Sequence, residues 1–330
     1  MPPKASVFSI FDAYSEERLG SERYEQVIEM ARFADTHGYD TFWVAEHHFQ
    51  LTGTLPSPPV FLAALARETS RIRMGPLVSV LPLHNPVELA EQYALVDRLS
   101  EGRLEIGVGS GNTPVDFQGF GVDMARRTEL FDAAFVLFLK ALKGEAIDAP
   151  NSPTGSVKLN VRPIQLPHPP LWVAAGRLES VRHVGAIGLN LALIPYATVD
   201  SIDELRDMIK EYLDALTSVK NYRVAAVFHV YIGKKERGLK ALRRYIEGRK
   251  SARSVLYSSK VSRSSKAAEP EKLVENGLAL IGQHEEVRKQ LLRIRSTGVT
   301  DICGLFDFGG IPTDKVLSSM REFVSIIGSL

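Results

Sequence analysis

Apolar and polar positions along this chain switch between two periods from one end to the other. Short continuous apolar runs read as strands buried on both faces, and longer segments with apolar residues three and four apart read as the helices that cover them. Ser6 to Phe11 is the first strand, and Ser21 to Thr36 the first helix, with Tyr24, Val27, Ile28, Ala31 and Ala34 on one face. Tyr39 to Ala45 and Pro58 to Thr69 repeat the pair. Ile72 to Pro82 precedes a helix that Asn85 caps and Pro86 opens. Gly102 to Gly111 and Met124 to Leu142 form the fourth pair. Pro170 to Gly176, Leu189 to Pro195 and Tyr222 to Gly233 are further strands, with helices near Leu178 to Ile187 and Ser201 to Leu216 between them. Thr300 to Gly309 is the last strand, before a helix from Thr313 to Ile327. Eight strands alternating with eight helices predict an α/β fold of parallel strands closed into a (β/α)8 TIM barrel, one domain over residues 1–330.

Two segments break the rhythm. Residues 145–169, after strand four, are rich in Pro, Asn and Gly around a strand-like "VKLNV" and read as a surface excursion. Residues 248–270, around helix seven, are basic and serine-rich, and a loop of this length reads as a candidate lid. Both are expected beside the barrel mouth.

Composition narrows the class. With 45% hydrophobic and 24% charged residues the chain can bury a sizeable core, and a formal net charge of +1 gives no footprint for nucleic acid or an anionic membrane. No apolar run is long enough to span a bilayer, and "MPPKASVFSIF" is too weak for a signal peptide, so a cytoplasmic location is expected. The one cysteine, Cys303, excludes an internal disulfide and reads as a small core residue.

In such a barrel the chemistry lies at the C-terminal ends of the strands. There "TFWVAEHHFQLTG" places Glu46, His47 and His48, two of only eight histidines, side by side. Three readings fit them: metal ligands, proton handling beside a polar ligand, or a satisfied structural histidine. Glu46 and His48 lie two apart, as ligands on one strand face must, but no further His, Asp or Glu cluster is evident at later strand ends, so no metal is expected. "GVGSGNTPVDFQGFG" brings three glycines within five residues, where a backbone can approach a ligand closely, but it lacks the dinucleotide spacing. In "AAGRLESVRHVGAIG" a helix opens beside Arg177 and Ser180, an arrangement of free amides and a guanidinium that suits phosphate.

Five segments, "FWVAEHHF", "LPLHNPVELAEQYALVDRLSEGRLEIGVGSG", "DFQGFGVD" with the later "ELF", "PPLWVAAGRLESVRHVGAIGLNL" and "GLFDFGGIPTDKVLSSMREF", together resemble the bacterial luciferase-like flavin-dependent monooxygenases over nearly the whole chain. The resemblance implies a barrel that takes reduced FMN from a separate flavin reductase and uses O2 to oxygenate a small organic substrate. It implies that His47 is the catalytic histidine beside the flavin, supported by Glu46 and His48. It implies that Leu77, Val78 and Ser79 support the isoalloxazine face through their backbone, in a segment where the family often has a non-prolyl cis peptide. It places the phosphate at Gly176, Arg177 and Ser180. Asn112, Asp116 and Phe117, which follow the fourth strand, are candidates for the substrate pocket, with ordinary loop roles equally open.

The chain also departs from luciferase. Where luciferase has a phosphate-contacting arginine this chain has Ser110, and where luciferase has a serine it has Arg177, so the cation is expected to reach the phosphate from across the pocket. Gly109 stands where luciferase has a cysteine beside the flavin, so light emission is not carried over. The last segment resembles members from natural-product pathways, which points to a secondary-metabolite substrate. A homodimer through the outer helices of the first half is usual in the family. Two other readings stay open: hydride transfer with a deazaflavin, and flavin binding without turnover.

Overall fold

The computed structural model describes residues 2–13, 20–217, 222–256 and 269–330, with side chains to residue 250 in the third span. Strands β1 (Lys4–Ser9), β2 (Thr41–Val44), β3 (Arg73–Pro76), β4 (Ser79–Val80) and β5 (Ile106–Gly109) are followed by a small hairpin, β6 (Ile147–Asp148) and β7 (Ser156–Val157). Then come β8 (Leu171–Ala174), β9 (Asn190–Leu193), β10 (Val224–Ile232), β11 (Ala279–Gly282) and β12 (Asp301–Leu305). Helices α1 (Ser21–Thr36), α2 (Pro58–Glu68), α3 (Pro86–Leu99), α4 (Pro114–Gly119), α5 (Arg127–Leu142) and α6 (Leu178–Ala186) fill the connections of the first half. The second half carries α7 (Pro195–Thr198), α8 (Ile202–Ala215), α9 (Lys235–Leu256), α10 (Pro270–Glu275), α11 (His284–Arg295) and α12 (Thr313–Gly328).

Apart from the hairpin, the strands form one sheet in the order β3-β2-β1-β12-β10-β9-β8-β5-β4, with β11 on β10. Every pairing in it is parallel, as strands apolar on both faces require. β3 and β4 are two halves of one ring position, separated by a cis Leu77–Val78 peptide; β3 pairs with β2 and β4 with β5. A bridge from Met74 to Leu104 completes the closure. The predicted TIM barrel is therefore what the chain forms. Asn85 caps α3 as its position predicts, accepting from the backbone N–H groups of Val87 and Glu88.

Four expectations are corrected. The sheet gains β11, which no reading of "LALIG" as a strand anticipated: His229 pairs with Leu305 of β12 on one side and Ala279 of β11 on the other. α11 follows it, opened by a capping box between Gln283 and Glu286. "VKLNV" contributes only Val157 to a two-residue strand. Of residues 248–270, those up to Leu256 continue helix α9, residues 257–268 lie outside the described residues, and Pro270 opens α10.

The excursion at 145–169 sits at the closed end of the barrel, not at the mouth. It follows α5, which returns antiparallel to the strands. Gln165 donates to Asp97 and to the Leu104 carbonyl, both at 2.7 Å, and accepts from Arg73 at 2.9 Å. It borders an ionic cluster at the strand N-termini. The fully buried Glu105 carboxylate accepts from Arg73 Nε at 2.6 Å, Arg223 at 2.7 Å and Trp172 Nε1 at 2.6 Å. Arg223 also pairs with Asp40 at 2.9 Å and with Asp301, and lies over the Trp172 ring at 4.7 Å. One cluster thus ties the starts of β2, β3, β5, β8, β10 and β12 together. Glu105→Gln would take from Arg73 its carboxylate partner and leave Arg223 with Asp40 and Asp301. We expect a loss of about 3 kcal/mol in urea unfolding, at the low end for a broken buried pair because both arginines keep some solvent exposure.

Candidate active site

β2 delivers Glu46, His47 and His48 to the C-terminal rim, and alternation along an extended chain sends them to different sides. Glu46 is buried. Its Oε1 accepts from His48 Nε2 at 3.1 Å and His84 Nε2 at 2.8 Å, and its Oε2 from the Val80 backbone N–H at 3.3 Å. Burial alone would raise its pKa; the hydrogen bonds and positive character of the two imidazoles outweigh this and carry it down to about 2. For His84 burial works against the charged form, and the Glu46 carboxylate reverses this, so its pKa is raised.

His84 corrects the view that no third group follows at a later strand end. It lies after β4, on the short turn preceding α3, and with Glu46 and His48 places ligand-capable atoms within 4.8 Å of one another. Both imidazoles address the same carboxylate oxygen, so the three groups satisfy one another as a hydrogen-bonded triad. The signal available in the sequence was its place directly after a strand end, in "LHNP".

His47 turns away from this triad and keeps 17% of its side-chain surface exposed. Its Nδ1 lies 3.4 Å from Gln50 Nε2 and 3.8 Å from Asp116 Oδ2, which leaves Nε2 to meet a ligand. Gly53, at φ +146°, packs against the ring: a Cβ there would come within 2.4 Å of His47 Cδ2. Asp116, expected to line the pocket, is buried and serves the histidine turn instead, accepting from the His48 N–H and from Gln50 Nε2, each at 3.3 Å. Phe117 is likewise buried, while Asn112 is exposed.

The next three strand positions continue the rim. Ser79 is buried and hydrogen-bonds Tyr93 at 2.5 Å. Leu77 and Val78 share the cis peptide. A Cβ on Gly109 would meet Val78 at 2.8 Å and Ala174 at 3.8 Å, so the ends of β4, β5 and β8 crowd together at this glycine. Ser110 follows, half-buried. Beyond β8, Gly176, Arg177 and Ser180 are exposed at the start of α6; Arg177 is its N-cap in extended conformation, with no side-chain cap. All the expected residues therefore share one rim. The histidine turn and Asp116 are in direct contact; Arg177 and Ser180 stand on the same rim, beyond β4 and β5.

The triad generates a pH prediction. Glu46, with a depressed folded pKa, contributes stability that is present above its ordinary value of 4.5 and is lost as pH falls toward about 2. His84, with a raised folded pKa, contributes stability that is full below 6.5 and is lost as pH rises through its folded value. His84→Gln should therefore cost most between pH 4.5 and 6.5, about 2 kcal/mol for a charge-assisted hydrogen bond, with the gap narrowing on both sides in urea unfolding across pH.

A family model described as luciferase-like monooxygenase matches residues 4–301. The oxygenase component of the flavin-dependent trigonelline monooxygenase of Acinetobacter baylyi is 26% identical over 240 residues, 70% of this chain and 65% of that one. Across three curated relatives the chain spans 58%, 53% and 65% of their own length. Among solved structures, the monooxygenase RslO1 of Streptomyces bottropensis superimposes with a TM-score of 0.85 at 23% identity, covering 99% of both chains. The oxygenating constituent of 3,6-diketocamphane monooxygenase from Pseudomonas putida, in complex with FMN, gives 0.77 at 17% identity, covering 100% of this chain and 99% of that one. Solved structures of the same fold include F420-dependent enzymes as well. The family match covers the barrel from β1 through β11 and the rim segments between them, and the chain belongs to the luciferase-like monooxygenases.

Proposed function

We propose that this protein is the oxygenase component of a two-component flavin-dependent monooxygenase, taking reduced FMN from a separate flavin reductase and acting with O2 on a small organic substrate. What supports it most is the shared rim, which carries the half-buried His47 imidazole, the close-packed glycine at the end of β5 and the exposed Arg177 at the start of α6. The residues fit the cofactor. Gly109 lets β5 close against the Val78 side chain and so shapes the wall beside the Leu77–Ser79 segment, and α6 offers its first amides next to Arg177 and Ser180. FMN, when bound, supplies the electrons that activate oxygen.

The protein's part is to hold and to exclude. Arg177 and Ser180 bind the phosphate, with the Gly176 backbone beside them; Leu77, Val78, Ser79 and Ser110 shape the wall that the ring rests on. His47, oriented through Nδ1 by Gln50 and Asp116, holds or moves a proton at Nε2. Glu46 and His48 fix the turn that carries it. Among the described residues no helix is long and apolar enough to cross a membrane, in keeping with a cytoplasmic enzyme. A homodimer is proposed through α2 and α3, where Val60 and Leu95 are exposed; sedimentation of the full chain tests it.

Two experiments decide the reading. Titration with FMN and with a deazaflavin, oxidised and anaerobically reduced, should show tight binding of reduced FMN, weakened at least about tenfold in Arg177→Ala, as loss of a charge-assisted hydrogen bond requires. Equal affinity of wild type and variant removes Arg177 from the phosphate site, and preference for the deazaflavin favours hydride transfer. His47→Ala should abolish substrate oxygenation while leaving FMN affinity within about twofold. Full activity in that variant refutes the proton role, and a wild type that binds reduced FMN without consuming oxygen is a binding protein.

A further inference from the structure

Three strand positions round the ring from the histidine turn, the mouth carries a second imidazole. His229 sits on β10, level with Leu305 at the end of β12, and has no exposed surface. Neither of its ring nitrogens has a hydrogen-bond partner among the described residues. Three rings enclose it: Tyr196 of α7 at 4.4 Å, Tyr245 of α9 at 4.5 Å and Phe308, just past β12, at 5.0 Å between centroids. The two tyrosine hydroxyls meet at 3.2 Å, so they are engaged with each other and not with the imidazole.

A buried imidazole left without partners is a cost that folding alone does not explain, because phenylalanine would fill the same space without it. Burial, reinforced by the nearby Arg249 charge, holds the His229 pKa down to about 3, so the ring is neutral and offers one N–H donor and one acceptor. The enclosure also communicates with the proposed catalytic side. Arg249 lies over the Tyr245 ring at 4.9 Å and donates to the Thr52 carbonyl at 3.1 Å; Thr52 donates to Gln50 at 3.0 Å, and Gln50 meets His47. The helix bearing Tyr245 thus crosses the mouth from β10 to the turn that carries His47.

We propose that His229 is a substrate-contacting residue, which takes the hydroxyl or carbonyl group of a flat, ring-containing substrate while Tyr196 and Phe308 pack on its faces. The assignment rests on the monooxygenase reading and names the substrate class for the same mouth. Tyr245 is the ring that a ligand displaces on entry, since Tyr196 and Phe308 are held close to the ends of β9 and β12. A polar group anchored at His229 leaves the remainder of the substrate toward His47, where oxygenation is proposed.

The probe is 2-naphthol, a flat fluorescent ring with one hydroxyl, with naphthalene as the partner that lacks it. Both are titrated into the full chain without flavin. Wild type should bind 2-naphthol more tightly than naphthalene. His229→Phe should lose about tenfold for 2-naphthol, keep its naphthalene affinity, and melt no lower than wild type, because an unsatisfied buried polar group has been removed. In wild type carrying 15N-histidine, the histidine that stays neutral in mild acid should shift its ring resonances when 2-naphthol is added, a readout that does not depend on the variant folding. Absence of that shift, equal 2-naphthol affinity in His229→Phe, or no preference for the hydroxyl in wild type each overturns the proposal. If wild type binds 2-naphthol at His229 but not reduced FMN, the flavin reading fails and this one stands.

Discussion

A buried, ionised carboxylate sets the geometry of the mouth. Glu46 has lost nearly all contact with water and survives as a charge because His48, His84 and the Val80 N–H surround it. Those partners come from two ring positions, so the carboxylate locks the end of β2 to the segment that starts at the cis Leu77–Val78 peptide. The adjacency of His47 and His48 follows from this. One histidine must face inward to satisfy Glu46, and alternation then turns its neighbour outward, where Gln50 and Asp116 set its ring. Two histidines in a row are thus one structural group and one chemical group produced by the same extended backbone.

The two ends of the barrel obey different rules. At the strand N-termini charges are matched: Glu105, Asp301 and Asp40 form one network with Arg73, Arg223 and Lys4, and Gln165 of the excursion at 145–169 borders it. At the mouth local rules are broken. Phe11 and Phe49, after β1 and β2, hold φ values of 62° and 56° in the left-handed region, which a residue with a bulky side chain adopts only when its surroundings impose it. His229 and Asp307 Oδ1 are buried without partners among the described residues.

Much of this was legible in the chain. Continuous apolar runs alternating with helical stripes have one compact solution, and the ring strands fell where those runs lie, as did the Asn85 cap. The family resemblance located the cis peptide segment. What escaped detection had local signals too weak to stand alone. β11 is four residues long and follows the short helix α10, so "LALIG" blends into its surroundings, although Gln283 and Glu286 signal the helix after it. The excursion lies at the other end from the one its preceding strand implies, because α5 between them reverses the chain. Position after β5 says nothing of what the Asp116 carboxylate touches; only packing shows that it accepts from the histidine turn.

His229 shows where sequence reasoning stops in principle. A single histidine inside "YRVAAVFHVYIG" reads as a core residue, and its burial agrees. What separates it from a structural histidine is that no group among the described residues satisfies it, a property of Tyr196, Tyr245 and Phe308, which come from three other segments. The same comparison distinguishes it from His48. Both are buried and both touch aromatic rings, yet His48 has a carboxylate within 3.1 Å and His229 has none among the described residues. A fold that supplies a carboxylate to one buried imidazole and withholds it from the other, on either side of one opening, keeps the second in reserve for a partner that arrives from solution.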